Sequence, residues 1–277
     1  NILSIPSSTG QAKQLPGILK ELGRADIQTA IVLPDENLLI PVLNSIPEDV
    51  TDLNVTMGYP MGASELWDLC RDVASMQMHL RYKDGKCLFY HRQVWSIFSN
   101  SVFRNAISDE GRRIVESVRR EAGYYVPQEA LQGDPVMDLI FRPAADVPAI
   151  EDYQQAFVSA VALAIKDKPD MAVELDFARK FHMAVGRLRE CNLPIQPVTY
   201  FRLLSQLLAG ASVPFLGEPL KGLQIMGPLE TRALDFDNII ILSCNEGVFP
   251  RRSTGSSFIP PELRKGFGLP TYEYQDA

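Results

Sequence analysis

Two short, uninterrupted apolar runs constrain the fold of this chain more than any other feature. One run is AIVL at residues 30–33, and the other is IIIL at residues 239–242. Strands made only of aliphatic residues are typical of parallel sheets that are covered on both faces. Segments of helical and strand-like pattern alternate around the runs, which favours a sheet flanked by helices. We therefore predict that the two runs join one parallel sheet, although most of the chain separates them.

The middle of the chain, from about residue 101 to residue 195, has a helical pattern instead. Apolar residues such as Tyr153, Phe157 and Val161 recur there at helical spacing, and Asp170 is expected to cap one of the helices. The prediction is an α/β fold whose sheet-forming parts are interrupted by a helical insertion. The three expected parts are residues 1–100, 101–195 and 196–277.

Composition favours a globular protein outside the membrane. Hydrophobic residues make up 46% of the chain and charged residues 22%. No run of about 18 apolar residues is present, and the N-terminal segment lacks the basic start and apolar block of a signal peptide, so we expect a cytoplasmic location. The formal net charge of -7 argues against a stand-alone nucleic-acid binder, because phosphate affinity depends mainly on Lys and Arg.

The sequence offers little for catalysis. Four cysteines and three histidines are scattered without a C-x-x-C pair, which argues against a local zinc site and favours reduced, buried thiols. The nearest approach to a P-loop is DGKC around Gly85 and Lys86, which lacks the first glycine and the final hydroxyl. A G-x-S-x-G nucleophile elbow is missing as well. We therefore expect no catalytic residue, no metal and no cofactor in this chain.

The residues after the second apolar run stand where α/β sheets bind ligands. Ligands collect at the carboxyl ends of parallel strands, which here brings Asn245 and Glu246 beside a charged loop at residues 227–237. A purely structural interpretation of the same residues stays open. In that interpretation, Asp235 caps the strand and Glu246 begins a tight turn at Gly247, where a glycine permits positive φ.

Residues 226–250, MGPLETRALDFDNIIILSCNEGVFP, resemble motif V of superfamily I helicases of the UvrD/RecB type. In that family, Thr-x-His-x-x-Lys-Gly-Leu-Glu-Phe-Asp leads into an apolar strand and a Glu-Gly-x-Phe-Pro loop, which residues 234–237 and 246–250 match. Residues 29–47 look like the motif IV strand with its helix, and residues 55–73 look like the next strand and helix of the family. The similarity is strongest to AddB-like helicase/nuclease subunits of bacterial double-strand break repair. It implies a second RecA-like domain whose helical insertion is residues 101–195.

The departures from the family pattern imply a degenerate motor. The family has an Arg for the γ-phosphate where this chain has Asp35, and a carboxylate there would repel the nucleotide. In motif V, Gly227 replaces the Thr, Leu229 replaces the His, and Arg232-Ala233 replaces Lys-Gly. The resemblance therefore implies a non-catalytic middle section of a longer polypeptide, and ATP and Mg²⁺ are implied for that parent only.

The resemblance also implies where ligands and partners would bind. The residues implied as a remnant of the nucleotide cleft are Arg232, Asp235 and Glu246. The residues implied as DNA contacts are Glu230, Thr231, Asn245, Arg251 and Arg252. The implied partners are DNA, either single-stranded or as a duplex end and bound weakly by this chain alone, and an AddA-like helicase/nuclease subunit.

Two other functional hypotheses stay open. The chain could be the second RecA-like domain of an active ATP-dependent DNA helicase, and Asp35 in place of the family's Arg is the feature that discriminates between this hypothesis and the non-catalytic one. It could instead be a protein-interaction module unrelated to DNA, which the acidic balance favours. A further basic cluster is expected to form ion pairs on a surface helix, with nucleic-acid contact as the alternative: Arg112, Arg113, Arg119 and Arg120.

Overall fold

The chain forms two compact units. A computed structural model describes residues 1–23, 26–121, 123–144, 146–192, 194–214, 221–250 and 261–268. The first unit comprises Asn1–Asp52 and Gly222–Ala277, and the second comprises Leu53–Lys221. These boundaries differ from the expected ones at residues 100 and 195, because the segments that flank the predicted insertion contribute buried residues to the core of the second unit.

The described helices and strands follow one another in both units, and short 3₁₀ turns connect several of them. The α-helices are α1 (Ser8–Ala12), α2 (Leu15–Leu22), α3 (Leu39–Leu43), α4 (Glu65–Met78), α5 (His91–Ser99), α6 (Ser101–Ala106), α7 (Asp109–Glu121), α8 (Pro135–Ile140), α9 (Val147–Ile165), α10 (Ala172–Cys191), α11 (Pro197–Ala209) and α12 (Pro261–Gly266). The strands are β1 (Thr29–Val32), β2 (Leu53–Val55), β3 (Gly58–Pro60), β4 (Arg81–Lys83), β5 (Lys86–Tyr90), β6 (Tyr125–Pro127), β7 (Ser212–Pro214), β8 (Leu223–Met226) and β9 (Asn238–Ile241).

The first unit contains a parallel sheet in which β1 lies between β8 and β9. Ala30 pairs with Gln224 on one side and with Ile239 on the other, so the register of all three strands is fixed at the same level. All four residues of β1 are buried, as are all four of β8. The prediction that the two distant apolar runs join one parallel sheet is confirmed.

One part of that prediction is wrong. The run at residues 239–242 was expected to be covered on both faces, but Ile239 is 52% exposed and Ile241 is 40% exposed. Residues two apart in a strand share a face. Strand β9, which stands at the end of the strand order among the described residues, therefore leaves one face open.

The core of the second unit is built from helices. Helix α9 packs against α6, α8, α10 and α11, and its Tyr153, Phe157 and Val161 are buried as the helical spacing predicts. Asp170 does not cap α10: it lies in a 3₁₀ turn, Pro169–Met171, and the cap residue is Met171.

A buried carboxylate joins two of these helices. Glu174 of α10 accepts hydrogen bonds from Ser64 Oγ at 2.6 Å, from the Leu66 amide at 3.0 Å and from the Glu65 amide at 3.2 Å. The first amides of a helix have no partner within the helix, so the Glu174 carboxylate satisfies donors at the start of α4.

The second unit also contains antiparallel strands that the sequence pattern did not predict. Strand β3 pairs with β7, and β5 pairs with both β4 and β6. Since β6 falls within residues 101–195, the expectation that this stretch is purely helical is wrong. The connection between β4 and β5 is the dipeptide Asp84-Gly85, whose φ values of 52° and 76° are typical of a type I′ hairpin turn.

Two of the four arginines in the basic cluster on α7 form ion pairs. Arg112 Nη1 lies 2.7 Å from Asp109 Oδ1, and Arg113 Nη1 lies 2.7 Å from Glu110 Oε2. These contacts agree with the surface-helix interpretation of the cluster. Within the described ranges, no helix combines the length and the apolar character that crossing a bilayer requires.

The four thiols do not share one environment. All four are free; Cys70 and Cys87 are buried, whereas Cys191 and Cys244 are exposed. The expectation of buried thiols is therefore correct for the first two and wrong for the last two. Burial raises the pKa of Cys70 well above its usual range, with the Glu174 charge adding to the rise.

Candidate functional site

The three parallel strands of the first unit end at one edge. The Leu33 amide donates to the Met226 carbonyl at 2.9 Å, and the Leu242 amide donates to the Val32 carbonyl at 3.1 Å. These bonds extend the ladder by one residue beyond β1 and β9. The loops that follow β8, β1 and β9 therefore leave from the same carboxyl edge, with the β1 loop in the middle.

The loop after β8 folds on itself. The carboxylate of Glu230 lies over the buried Gly227, where a Cβ atom would come within 2.5 Å of Glu230 Oε2. Thr231 Oγ1 donates to the Pro228 carbonyl at 2.8 Å, and the Leu234 amide donates to the Thr231 carbonyl at 3.2 Å. Gly227 thus permits a close approach of the Glu230 carboxylate, and a threonine there, the residue found in the helicase motif, would displace this side chain.

The loop after β9 is a compact turn. The Ser243 backbone has a φ of 54°, and the Val248 and Phe249 amides both donate to the Asn245 carbonyl at 3.0 Å. Gly247 has a φ of 81°, a conformation that glycine adopts at low cost. The tight-turn interpretation of Glu246 and Gly247 fits this geometry, and it leaves the side chains of Asn245 and Glu246 exposed.

A residue from the start of the chain supports this turn. The Ser243 amide donates to Gln11 Oε1 at 2.7 Å, and Gln11 lies on α1, which Ser7 caps. Sequence reasoning missed Gln11, because a single glutamine 232 residues away from its partner carries no pattern that points to it.

Asp35 lies in the β1 loop, where the helicase family has its Arg. Its side chain accepts hydrogen bonds from the Asn37 amide at 3.1 Å and from Asn37 Nδ2 at 2.9 Å. The carboxylate thus caps the 3₁₀ turn Glu36–Leu38. This local role explains why an acidic residue fits here. The β1 loop, at the centre of the edge, therefore has a carboxylate where the helicase family has the positive charge of an Arg.

The structure brings some of the predicted site residues to one edge and leaves others apart. Glu230, Thr231 and Arg232 belong to the β8 loop, and Asn245 and Glu246 belong to the β9 loop, so these five start from the carboxyl edge. Asp235 differs, because it stands three residues before β9 on the return to the opposite edge, where the Asn238 amide donates to the Gln28 carbonyl at 3.1 Å. Arg251 and Arg252 lie outside the described residues.

The carboxyl edge carries exposed charged side chains. Glu230, Arg232 and Glu246 are exposed, so their charges face solvent. The described stretches hold no group of three or more His, Cys, Asp or Glu side chains that could bind a metal ion. These side chains can form hydrogen bonds and ion pairs with a partner.

Neither the protein-family models nor the curated proteins with which the sequence was compared give a match.

Proposed function

We propose that this chain is a non-catalytic, helicase-like section of an AddB-like subunit in DNA double-strand break repair, and that it holds DNA and a motor partner. The observation that carries the proposal is the common sheet of β1, β8 and β9, because the two loops that resemble motif V leave from the edge where β1, the strand that resembles motif IV, ends. The RecA-like character of this α/β unit is part of the proposal, and so is a cytoplasmic location.

The loss of motor chemistry follows from the middle loop. Phosphoryl transfer needs cationic groups around the γ-phosphate to stabilise the charge that is transferred. By the resemblance, Asp35 stands where the family has its Arg, and its hydrogen bonds with Asn37 hold its carboxylate in a local cap. The Gly227 backbone, covered by Glu230, leaves no hydroxyl where the helicase motif has its threonine.

Weak contact with DNA fits the two outer loops. Arg232 and Asn245 are exposed and carry the groups that commonly bind phosphate oxygens. Glu230 and Glu246 are exposed in the same loops, and their negative charges oppose the binding of a polyanion. The contact would therefore position a DNA strand with low affinity.

Docking of a motor partner fits the open face of β9. Ile239 and Ile241 lie on one face of that strand and are 52% and 40% exposed. Exposed aliphatic residues next to each other on an end strand are typical of surfaces that another protein covers. This face belongs to the first unit, as the two outer loops do.

Thiol alkylation tests the DNA contact directly. Cys244 lies in the β9 loop, whereas Cys191 ends α10 in the second unit, and both thiols are exposed. We expect an oligothymidylate to slow the alkylation of Cys244 by iodoacetamide and to leave Cys191 unchanged. At about ten times the Kd, an unreactive bound state would slow the reaction about ten-fold. Equal rates for Cys244 with and without the oligonucleotide would contradict the DNA contact.

The same assay separates the proposal from an active helicase. ATP with Mg²⁺ should leave the alkylation rate of Cys244 unchanged, because the chain is proposed to have lost nucleotide binding. Protection of Cys244 by ATP, abolished in Asp235→Ala, would instead favour the second RecA-like domain of an ATP-dependent helicase. The variant Asp237→Ala is a matched control, because it removes a neighbouring carboxylate of the same connection.

A further inference from the structure

The antiparallel sheet of the second unit has one buried face and one open face. Cys87, Phe89 and Val126 are buried, and they alternate with exposed or half-buried neighbours along β5 and β6. Tyr90 pairs with Tyr125 across these two strands. Because alternate residues of a strand point to opposite faces, Tyr90 and Tyr125 lie together on the open face.

Four aromatic rings gather at one end of this open face. Their members, here called the aromatic cluster, are Tyr90, His91, Tyr124 and Tyr125, and the ring centroids in contact are 4.6 to 6.0 Å apart. The His91 amide donates to the Tyr124 carbonyl at 3.3 Å, which ties the start of α5 to the chain before β6. Tyr124 is 64% exposed, in contrast to the fully buried Phe89 on the other face.

Positively charged side chains lie beside the aromatic cluster. The guanidinium carbon of Arg81 lies 5.1 Å from the centroid of the Tyr125 ring, within the range of a cation–π contact. A hydrogen bond with Tyr90 raises the pKa of Tyr124, and the nearby charges of Arg92 and Arg81 partly oppose that rise. Two arginines therefore lie close to the cluster.

The remaining charges near the hairpin are also mainly positive. Lys83 and Lys86 face each other as a cross-strand pair on either side of the turn. The acidic residues nearby are Asp84 in the turn and Glu129, whose Oε1 lies 3.9 Å from Lys86 Nζ with both side chains more than half exposed. Arg81, Lys83, Lys86 and Arg92 thus add positive charge on this side of the second unit, although the whole chain has a formal net charge of -7.

We propose that the aromatic cluster and its cations bind single-stranded nucleic acid. Proteins that bind single strands combine a cationic surface along the phosphates with exposed aromatic rings on which bases stack. In this arrangement Tyr124 stacks on a base, while Arg81 and Arg92 contact the adjacent phosphates. The site uses residues of the second unit alone, so it does not depend on the proposed DNA contact at the loops of the first unit.

Fluorescence anisotropy with a labelled oligothymidylate tests the stacking. We expect Tyr124→Ala to weaken binding about five-fold or more, which corresponds to the loss of one stacked base. Tyr124→Phe keeps the ring and should bind within about two-fold of the wild type. Tyr82→Ala is the matched control: Tyr82 is 66% exposed on β4, and it pairs with the buried Cys87 on the other face. Equal effects of Tyr124→Ala and Tyr82→Ala would overturn the proposal.

An abasic oligonucleotide of the same length separates stacking from charge. The wild type should bind it about five-fold more weakly than oligothymidylate, and Tyr124→Ala should bind the two equally. Arg81→Ala should reduce the slope of log K against log salt by about 0.7, as one lost phosphate contact predicts for a single strand. Arg179→Ala is its control, because Arg179 is an exposed arginine paired with Asp176 on α10. Equal binding of both oligonucleotides by the wild type would reveal a purely electrostatic surface and overturn the proposal.

The two proposals fail separately. Loss of affinity in Tyr124→Ala without protection of Cys244 would support the aromatic cluster and contradict the loop contact. Protection of Cys244 with full affinity in Tyr124→Ala would support the loop contact and overturn the present inference.

Discussion

The parallel sheet of the first unit and the β4–β5–β6 sheet of the second are built in opposite ways. Every residue of β1 is buried, and its partners β8 and β9 come from the other end of the chain. Strand β5 alternates between buried and open positions, and its partner β4 precedes it in the chain across a two-residue turn. The first sheet is therefore a core element that presents loops at its edge, whereas the second presents side chains on its face.

This difference matters for function because the two surfaces offer different chemistry. The carboxyl edge of the parallel sheet offers exposed charged and amide side chains on short loops, with acidic and basic groups side by side. The open face of the antiparallel sheet offers aromatic rings with cations around them. The first surface suits positioning contacts with low affinity, and the second suits stacking.

The largest expected effect compares a buried position of the parallel sheet with a half-buried position of the antiparallel sheet. Ile31 is fully buried in β1, whereas Leu88 of β5 is half-buried on the open face. Ile31→Asp should lower the free energy of unfolding by about 4 kcal/mol or more, because it buries an unpaired charge. Leu88→Asp should cost about 1 kcal/mol. Denaturant unfolding measures both, and similar losses would contradict the contrast between the sheets.

Adjacent substitutions within one strand sharpen the comparison. Phe89→Ala should cost about 3–5 kcal/mol, whereas Tyr90→Ala next to it should cost about 1 kcal/mol, since only Phe89 is fully buried. In β1, Ile31→Ala and Val32→Ala should both cost about 1.5 kcal/mol or more, because neither face of that strand is open. A large loss of stability in one of these two β1 variants and a small loss in the other would contradict burial of both faces of β1.

A smaller effect on the free energy of unfolding concerns a buried carboxylate. Among the described residues, the buried carboxylates Asp134, Glu151 and Glu174 all belong to the second unit. Burial disfavours ionisation of Asp134, but hydrogen bonds from Ser108, Met137 and Val136 outweigh it and lower the pKa. Asp134→Asn should therefore cost about 1–2 kcal/mol at neutral pH.

The pH dependence of that cost follows from the direction of the shift. A carboxyl whose pKa is lower in the folded state stabilises the fold above its unfolded pKa of about 3.9, and this stabilisation is lost as the pH falls through the folded pKa. The difference between wild type and Asp134→Asn should thus shrink below about pH 4. Unfolding curves at several pH values measure it, and a constant difference would rule out the proposed ionic contribution.

The smallest effect concerns the reactivity of the four thiols and does not involve the free energy of unfolding. Under native conditions Cys191 and Cys244 should react with iodoacetamide much faster than Cys70 and Cys87, because the latter two are buried. Burial also raises the pKa of Cys87, although a hydrogen bond with Tyr82 partly opposes the rise. Peptide mass spectrometry assigns the sites. Rapid labelling of Cys70 in the native state would show that the core of the second unit is open.

The sequence predicted the parallel sheet because two of its strands, β1 and β9, contain continuous aliphatic runs. Such runs indicate a parallel strand even when the neighbouring strands are not known. The sequence did not predict the open face of β9, since the run IIIL has the same pattern whether one face of the strand is covered or open. The sequence also did not predict at which edge of the sheet Asp235 lies. The connection from β8 to β9 has to pass β1, which stands between them, and the sequence pattern does not reveal this strand order.

The antiparallel sheet was missed for a different reason. Strand β4 is Arg-Tyr-Lys, three exposed residues with no apolar side of their own, so periodicity gives no signal. The sequence does contain one signal, Asp84-Gly85, a dipeptide typical of two-residue hairpins. The aromatic cluster could not be separated from core aromatics by sequence, because Tyr90 and Phe89 differ only in the face they occupy.

The central claim is that β1 pairs in parallel with both β8 and β9. Cross-strand nuclear Overhauser effects in a deuterated sample with protonated amides test it most directly. The account predicts contacts between the amide protons of β1 and β8 around the pair Ile31–Ile225, and between β1 and β9 around the pair Ile31–Ile240. Contacts of β1 with another segment, or a helical pattern at residues 239–242, would contradict the shared edge and the proposed function together.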